Sequence, residues 1–314
     1  MRIEARYRSK GITSDLTPGS NQPQTSAPFV GVPDAGLEWE LPLSDGQFNY
    51  IRGLAMTHAG IEIADYKKNM VRRRISKRLR VLGYTNHRDY CEMLGSPAGE
   101  DEIQPLINAL TTNKTEFFRE YHHFQHMEQT LVPKWVTAKE KQQSKRLRIW
   151  SAGCSTGQEP YSIAMSLSNA MPSLANWDAK ILATDIDTDV LDVARQGVYG
   201  ADCVDSIPAA YCEKYLEADG KDNAEWRIAQ PVRSLLTFRS LNLHGAWPMR
   251  GPFDLIFCRN VVIYFDKESQ RRLFDRFAEL LPIGGLLYCG HSESLFGICS
   301  RFRAIGKSIY EKVS

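Results

Sequence analysis

The feature that most constrains the fold lies in the second half of the chain, where short apolar runs alternate with helical stretches. Arg148–Ala152 reads as a buried strand, Pro160–Ala170 as a helix, Ala179–Thr184 as the next strand and Asp189–Arg195 as the next helix. Further on, Phe253–Cys258 is expected as a strand, Glu268–Leu281 as a helix and Leu286–Cys289 as a strand. Strands joined through helices run parallel, and a parallel sheet needs helices over both faces. The expected class is therefore α/β, with any ligand beyond the carboxyl ends of the strands, where the strand order reverses.

Residues of about 197–243 interrupt this alternation. Trp226–Ile228, Val232–Leu235 and Thr237–Arg239 are short candidate strands and Asp219-Gly220 is a turn signal, so a small antiparallel β insert is expected there. Upstream the pattern is helical. Ser44 and Gln47 stand at capping-box spacing, and Asp65–Leu82 carries Val71, Ile75, Leu79 and Leu82 on one face before Gly83 stops it. His87–Leu94 and Ile103–Leu110 are expected as further helices. Residues 44–130 are thus expected to form an all-α domain and 131–145, with Pro133 and the run Lys139–Lys145, a solvated linker to the α/β domain at 146–314. Residues 1–43 are expected as a disordered tail, because 8–36 is rich in Ser, Thr, Pro, Gly and Gln and cannot bury enough apolar surface to offset its ordering entropy.

The formal charge of +2 is close to neutral and does not point to nucleic acid, so any basic contact surface must be local. The seven cysteines are odd in number, scattered and without a C-x-x-C pair, which points to reduced thiols rather than a disulfide framework or zinc site. The first residues carry no apolar signal core and no run is long enough to span a bilayer, so a cytoplasmic protein without direct membrane insertion is expected.

Four segments should converge at the crevice. Ser151–Glu159 follows the first strand, with Gly153 and Gly157 free to let backbone approach a ligand. It lacks G-x-G-x-x-G, and no phosphate-binding G-x-x-x-x-G-K-[ST] follows any strand, which disfavours dinucleotides and triphosphates. Asp185 ends the second strand, where a carboxylate can accept from both hydroxyls of a ribose, and Asp187 is a candidate cap for the next helix. Ser240–Leu243 and Cys258–Phe265 complete the set.

Together with Thr111–Glu120 (T-T-N-K-T-E-F-F-R-E), Trp150–Ser162 (W-S-A-G-C-S-T-G-Q-E-P-Y-S) and Gly290–Glu293, these segments give the chain a long and specific resemblance to CheR-type chemotaxis receptor methyltransferases. It runs from about Leu43 to Val313. The resemblance implies a helical domain followed by a Rossmann-like class I methyltransferase domain with a small β insert. It also implies S-adenosylmethionine as cofactor, S-adenosylhomocysteine as product, and methyl-ester formation on receptor glutamates for sensory adaptation. Carried over by position, Asn113, Thr115 and Arg119 would reach over the cofactor. Glu159 and Asp185 would hold its amino-acid and ribose portions, in an order left open, and Asn242 and Leu243 would flank the adenine. Arg259 and Asn260 would line the floor near the methyl group, with Tyr264 close to the methyl and Arg119 orienting the attacking carboxylate.

The helix at 65–82 also presents Arg73, Arg74, Lys77, Arg78 and Arg80 with no acidic residue between Lys67 and Val81. Such a run is ordinarily a solvated face. Against an acidic helical receptor bundle it becomes a docking stripe. The implied partner is the cytoplasmic bundle of chemotaxis receptors, met by a monomer recruited to membrane arrays. Some family members also tether to a receptor C-terminal peptide through a glycine pair in the β insert; Glu217–Trp226 has one glycine, so tethering is not expected. His122 and His126 stand one turn apart without an evident third ligand, and no metal is expected. His291 is expected to hold structure by hydrogen bonding. A non-catalytic receptor adaptor or cofactor sensor on the same fold is the alternative, opposed by the intact set Asn113, Thr115, Arg119, Glu159 and Asp185. Nucleic-acid methylation is disfavoured because Arg259–Val262 stands where a [DN]-P-P-[YFW] segment would be needed and no Pro-Cys pair exists.

Overall fold

The computed structural model describes residues 41–141, 143–219 and 224–314; residues 1–40 of the expected tail, and Gly220 of the expected insert turn, lie outside these residues, whereas Leu43, expected in that tail, is buried in the core of the helical segment. Helix α1 (Asp45–Ala59) starts in the capping box read from the sequence. Ser44 Oγ accepts from Gln47 N at 3.2 Å and Gln47 Oε1 from Ser44 N at 2.9 Å. A short 3₁₀ turn, Asp65–Lys67, precedes α2 (Lys68–Leu82), whose Val71, Ile75 and Leu79 are fully buried. Leu82, expected on the same face, is exposed, because the helix ends there on Gly83 in the left-handed conformation (φ 77°). Helix α3 (His87–Leu94) is capped by Asn86, and α4 (Glu100–Leu110) starts three residues before the expected Ile103 with an acidic first turn. Their apolar faces meet in one core with Phe48, Ile51, Tyr90 and Leu106.

The segment expected as a solvated linker is largely helical. Helix α5 (His122–His126) continues through a π turn at Met127–Leu131 into α6 (Val132–Lys141), and Trp135 and Val136 pack on the core of the sheet domain. Val132, Trp135 and Val136 stand at i, i+3, i+4, the spacing of a helix face. Pro133 does not break the helix because it falls in the first turn after the π segment.

The main sheet comprises β1 (Arg146–Ala152), β2 (Asp178–Asp185), β6 (Leu236–Ser240), β7 (Leu255–Cys258), β8 (Leu286–Cys289), β9 (Phe302–Gly306) and β10 (Ile309–Lys312), in the order β6-β2-β1-β7-β8-β10-β9. The first five strands of that order run parallel, and β10 is antiparallel to both β8 and β9. Helices α7 (Gln158–Ala170) and α8 (Thr188–Gln196) follow β1 and β2. The order reverses at β1, flanked by β2 on one side and β7 on the other. Register aligns Ala152 with Thr184 and Asp185 with Ser240, so the carboxyl ends of β1, β2 and β6 open into one crevice.

The β insert is real but differently built. It is a three-stranded sheet of β3 (Val198–Gly200), β5 (Glu225–Ile228) and β4 (Leu216–Asp219), in that spatial order. Thr237–Arg239, expected inside it, belongs instead to β6 at the edge of the main sheet, with Thr237 opposite Leu182. Val232–Leu235 is not a strand. Gln230–Arg233 forms one helical turn, set by Pro231 in its second position and by burial of Val232.

Candidate active site

The glycine loop after β1 shows why its residues are small. Gly153 takes φ 82°, and a Cβ there would lie 2.3 Å from Val261 Cγ2; Gly157 takes φ 99°, with Ala194 Cβ 2.9 Å from the same position. The loop is pinned to β2 by Gly153 N and Cys154 N donating to Thr184 O at 2.8 and 2.9 Å. Ser155 N donates to Asp185 Oδ2 at 2.7 Å, and Ser155 Oγ donates to Asn113 O at 2.8 Å.

Asn113 lies on a strap, residues 111–115, that crosses from α4 over the ends of the strands. Asp187 holds it. One oxygen caps α8, accepting from Asp189 N at 3.0 Å, while the other accepts from Thr111 Oγ1 at 2.6 Å and Asn113 Nδ2 at 2.7 Å. The capping role read for Asp187 is present, and its second role was not legible, because both donors lie more than seventy residues away in sequence.

Between strap and strand ends lies a cleft of about 1000 Å³, counted to its open mouth. Every residue expected at the cofactor lines it: Asn113, Thr115 and Arg119 from the strap side, Glu159 and Asp185 from the strand ends. Asn242 and Leu243 line it from the loop after β6, and Arg259, Asn260 and Tyr264 from the loop after β7. The helical segment closes one wall with Ala59, Ile61 and Leu110.

The two carboxylates differ in environment. Asp185 is 8% exposed, and burial pushes its pKa up to about 6 against the pull of backbone N–H donors from Asp187 and Ser155. An ionised carboxylate offers about four lone-pair sites, and these amides, with that of Ile186, do not fill them all. Glu159 accepts from Ser151 Oγ at 2.7 Å and pairs with Arg259 Nη1 at 3.1 Å; burial raises its pKa and the Arg259 charge opposes this. Arg259 is 5% exposed, sits between Glu159 and Glu120 (3.5 Å), and donates to Arg119 O. It is an internal counter-charge. Arg119 differs: among the described residues its guanidinium donates to Lys114 O alone, at 3.2 Å, and the residue lines the cleft. The Asn242 side chain joins His58 O (2.6 Å) to His244 N (2.9 Å), so it serves the wall of the cleft through its backbone position.

The basic stripe separates into two sets. Arg73, Lys77 and Arg80 are exposed on α2. Arg74 and Arg78 are not free for a partner. Arg74 donates to Leu110 O, Thr111 O and Thr112 Oγ1, satisfying the end of α4 and the start of the strap. Arg78 grips Glu102, which is 6% exposed, through Nε (2.6 Å) and Nη2 (2.5 Å), and Tyr90 Oη donates to the same carboxylate at 2.9 Å. Both arginines flank the buried stripe Val71-Ile75-Leu79, which turns them inward.

His126 bonds Tyr288 Oη at 2.6 Å and does not pair with His122. Glu120, His122 and His123 do bring one potential ligand atom each within 4.8 Å of one another, but the Arg259 guanidinium stands 3.5 Å from Glu120 and competes with any cation. Burial, with Arg259 nearby, lowers the pKa of His123 to about 3. His291 donates through its backbone N–H to Glu120 Oε1 at 3.1 Å and sets its Nδ1 3.0 Å from the same oxygen, a structural contact as expected. Among the described residues no helix is long and apolar enough to cross a membrane.

A seven-stranded mixed sheet with its crevice at the reversal of strand order, a glycine loop after the first strand and a carboxylate ending the second define a class I S-adenosylmethionine-dependent methyltransferase. The family described as "CheR methyltransferase, SAM binding domain" matches residues 113–310, and "CheR methyltransferase, all-alpha domain" matches 46–111. A "Probable chemotaxis protein methyltransferase" of Rhizobium etli is 43% identical over 254 residues, covering 80% of this chain and 94% of that protein. A "Chemotaxis protein methyltransferase" of Klebsiella aerogenes is 40% identical, covering 91% and 96%, and that of Escherichia coli is 40% identical, covering 86% and 92%. The chain belongs to the CheR methyltransferase family.

Proposed function

We propose that this chain methylates glutamate side chains on the cytoplasmic helical bundle of chemotaxis receptors, acting as a monomer in the cytoplasm at membrane receptor arrays. The observation that carries this reading is the cleft: two buried carboxylates at its base, one arginine at its wall with unspent donors, and an exposed basic helix face on the same chain.

The cleft's residues fit S-adenosylmethionine. Asp185, whose backbone donors leave part of its lone-pair capacity open, suits the ribose hydroxyls, and Glu159 suits the ammonium of the amino-acid portion. The close approach of Gly153 to Val261 leaves backbone, not side chain, against the ligand. Leu241 and Leu243 give an apolar wall for the adenine. The bound cofactor supplies an electrophilic methyl group on a sulfonium. A glutamate nucleophile, with an ordinary pKa of about 4.3, arrives already ionised, so no general base is required. The thiols of Cys154, Cys258 and Cys289 are pushed well above their ordinary range by burial, which removes them as nucleophiles. What remains for the protein is in-line placement and exclusion of water from the carboxylate. Arg119 orients that carboxylate, while Asn260 and Tyr264 wall the methyl end.

Methyl transfer from labelled S-adenosylmethionine to a receptor cytoplasmic fragment tests the reading, with Arg119→Ala as the informative variant. The expected result is labelled receptor and a turnover for Arg119→Ala down by about 10²-fold, the scale of a misplaced reactant. Full turnover in Arg119→Ala with unchanged cofactor affinity would remove Arg119 from the mechanism, and unlabelled receptor would overturn the substrate.

A further inference from the structure

The Gly290–Glu293 motif follows β8, and its glutamate reaches back into the loop after β7. Glu293 is 5% exposed. Its Oε2 accepts from Asn260 N at 2.8 Å and Gly290 N at 2.6 Å, and its Oε1 from Val261 N at 2.8 Å and Val262 N at 2.9 Å. Three of these amides are consecutive. Asn260 takes φ 59° and Val261 φ −115°, ψ −46°, so left-handed and right-handed residues alternate and direct their N–H groups into one concavity. This is a backbone anion nest, and its anion is a side chain of the same protein.

The turn has cause to relax without that anion. A left-handed residue needs its surroundings to hold it, even where asparagine tolerates that region, and buried amides left without acceptors are costly. Packing is tight around it: a Cβ on Gly290 would lie 2.7 Å from Asn260 Nδ2, and Val261 already abuts Gly153. The turn leads directly into the 3₁₀ segment Val262–Tyr264, and Asn260 and Tyr264 both face the cleft.

We propose that Glu293 is a positioning residue for methyl transfer, its carboxylate filling the 260–262 nest and thereby setting Asn260 and Tyr264 at the methyl end of the cleft. The inference rests on the methyl-transfer reading for what those two residues face. Glu293 is not among the residues that line the cleft, so its removal should lower kcat far more than it weakens cofactor binding.

The test compares wild type, Glu293→Ala and Glu293→Gln in the full chain. Turnover on a receptor fragment, affinity for S-adenosylhomocysteine, and hydrogen exchange over residues 259–265 are measured with and without 50–200 mM sodium formate, against sodium chloride at equal ionic strength. Glu293→Ala is expected to lose about 10²-fold in kcat with less than about 5-fold change in affinity. Exchange over 259–265 should rise about 10-fold or more. Formate is small enough to enter the vacated nest and should restore about 10-fold of kcat and slow the exchange. Glu293→Gln keeps the side-chain volume and occupies the nest, but presents N–H to N–H. It should lose kcat similarly and gain nothing from formate, and it keeps the test alive should the alanine variant fail to fold.

Exchange needs no substrate, so failure of the proposed receptor chemistry would appear as an inactive wild type while the nest is still judged by exchange and formate. Unchanged exchange and kcat within about 3-fold of wild type in both variants would overturn the proposal. So would a proportional fall in kcat, affinity and melting temperature without formate rescue, which would make Glu293 a prop of the fold alone.

Discussion

Cofactor affinity should fall in acid, and Asp185 sets the midpoint. Burial lifts its pKa to about 6 from an ordinary value of 3.8. For the ligand-free fold the sign is that of a raised acid: its contribution to stability is full below 3.8 and is lost as pH rises through about 6, a span worth about 3 kcal/mol. Ribose binding has the opposite sign, because both hydroxyls donate and therefore need the ionised form. With a midpoint near 6, affinity should fall about tenfold from pH 7 to pH 5, or about 1.4 kcal/mol. The ligand's own amine and carboxylate do not titrate in that window. Glu159, raised by burial as well, adds in the same direction. Asp185→Asn separates the two: it should weaken binding at pH 7 by about 1.5–3 kcal/mol, the worth of hydrogen bonds to a charged group, and flatten the profile. Titration calorimetry of S-adenosylhomocysteine at half-unit pH steps reads both effects. Constant wild-type affinity from pH 5 to 7, or an equal decline in Asp185→Asn, would refute the reasoning.

The other expectations concern the helical segment. Arg78→Met leaves the Glu102 carboxylate buried with only Tyr90 as donor. It should cost about 3 kcal/mol in urea denaturation, the low end for breaking a buried pair because Arg78 keeps 24% of its side chain exposed. Lys77→Met, exposed on the same helix, should stay within about 0.5 kcal/mol, and equal effects would mean that the pair adds nothing. Reversing Arg73, Lys77 and Arg80 to glutamate should reduce methylation at subsaturating receptor about tenfold or more at low salt, with unchanged cofactor affinity. The gap should close toward 0.5 M salt as screening shortens the reach of the charges, and a salt-independent gap would place the contact elsewhere.

The periodicities that were legible are those whose cause is local. The apolar runs at Ile149–Ala152 and Leu286–Cys289 are buried on both faces whichever strands they pair with, so composition sufficed to find them. Thr237–Arg239 reads as a strand, but it belongs to β6 (Leu236–Ser240) of the main sheet rather than to the insert. The five residues of β6 look the same beside β2 as beside β5, and the choice rests on partners about fifty residues away. Charge was harder to read than apolarity. Arg73 and Arg74 are neighbours in sequence, yet one faces water and the other caps α4, because a helix turns 100° per residue and the buried stripe lies to one side. The residues that the resemblance assigns to the cofactor line one cleft. Glu120, Asp187 and Glu293 act on backbone groups or ions brought from distant segments, which no spacing in the sequence encodes.

The central claim is the chemistry of the product. Receptor cytoplasmic fragment incubated with this protein and S-adenosylmethionine should gain 14 Da increments on specific glutamates by peptide mass spectrometry. Mild base should remove them with release of methanol, and Asp185→Ala should leave the receptor unmodified. Increments that survive base, or that fall on lysine, arginine or a free amine, would contradict carboxylate methylation, and an unmodified receptor with a cofactor-bound wild type would contradict the receptor as substrate.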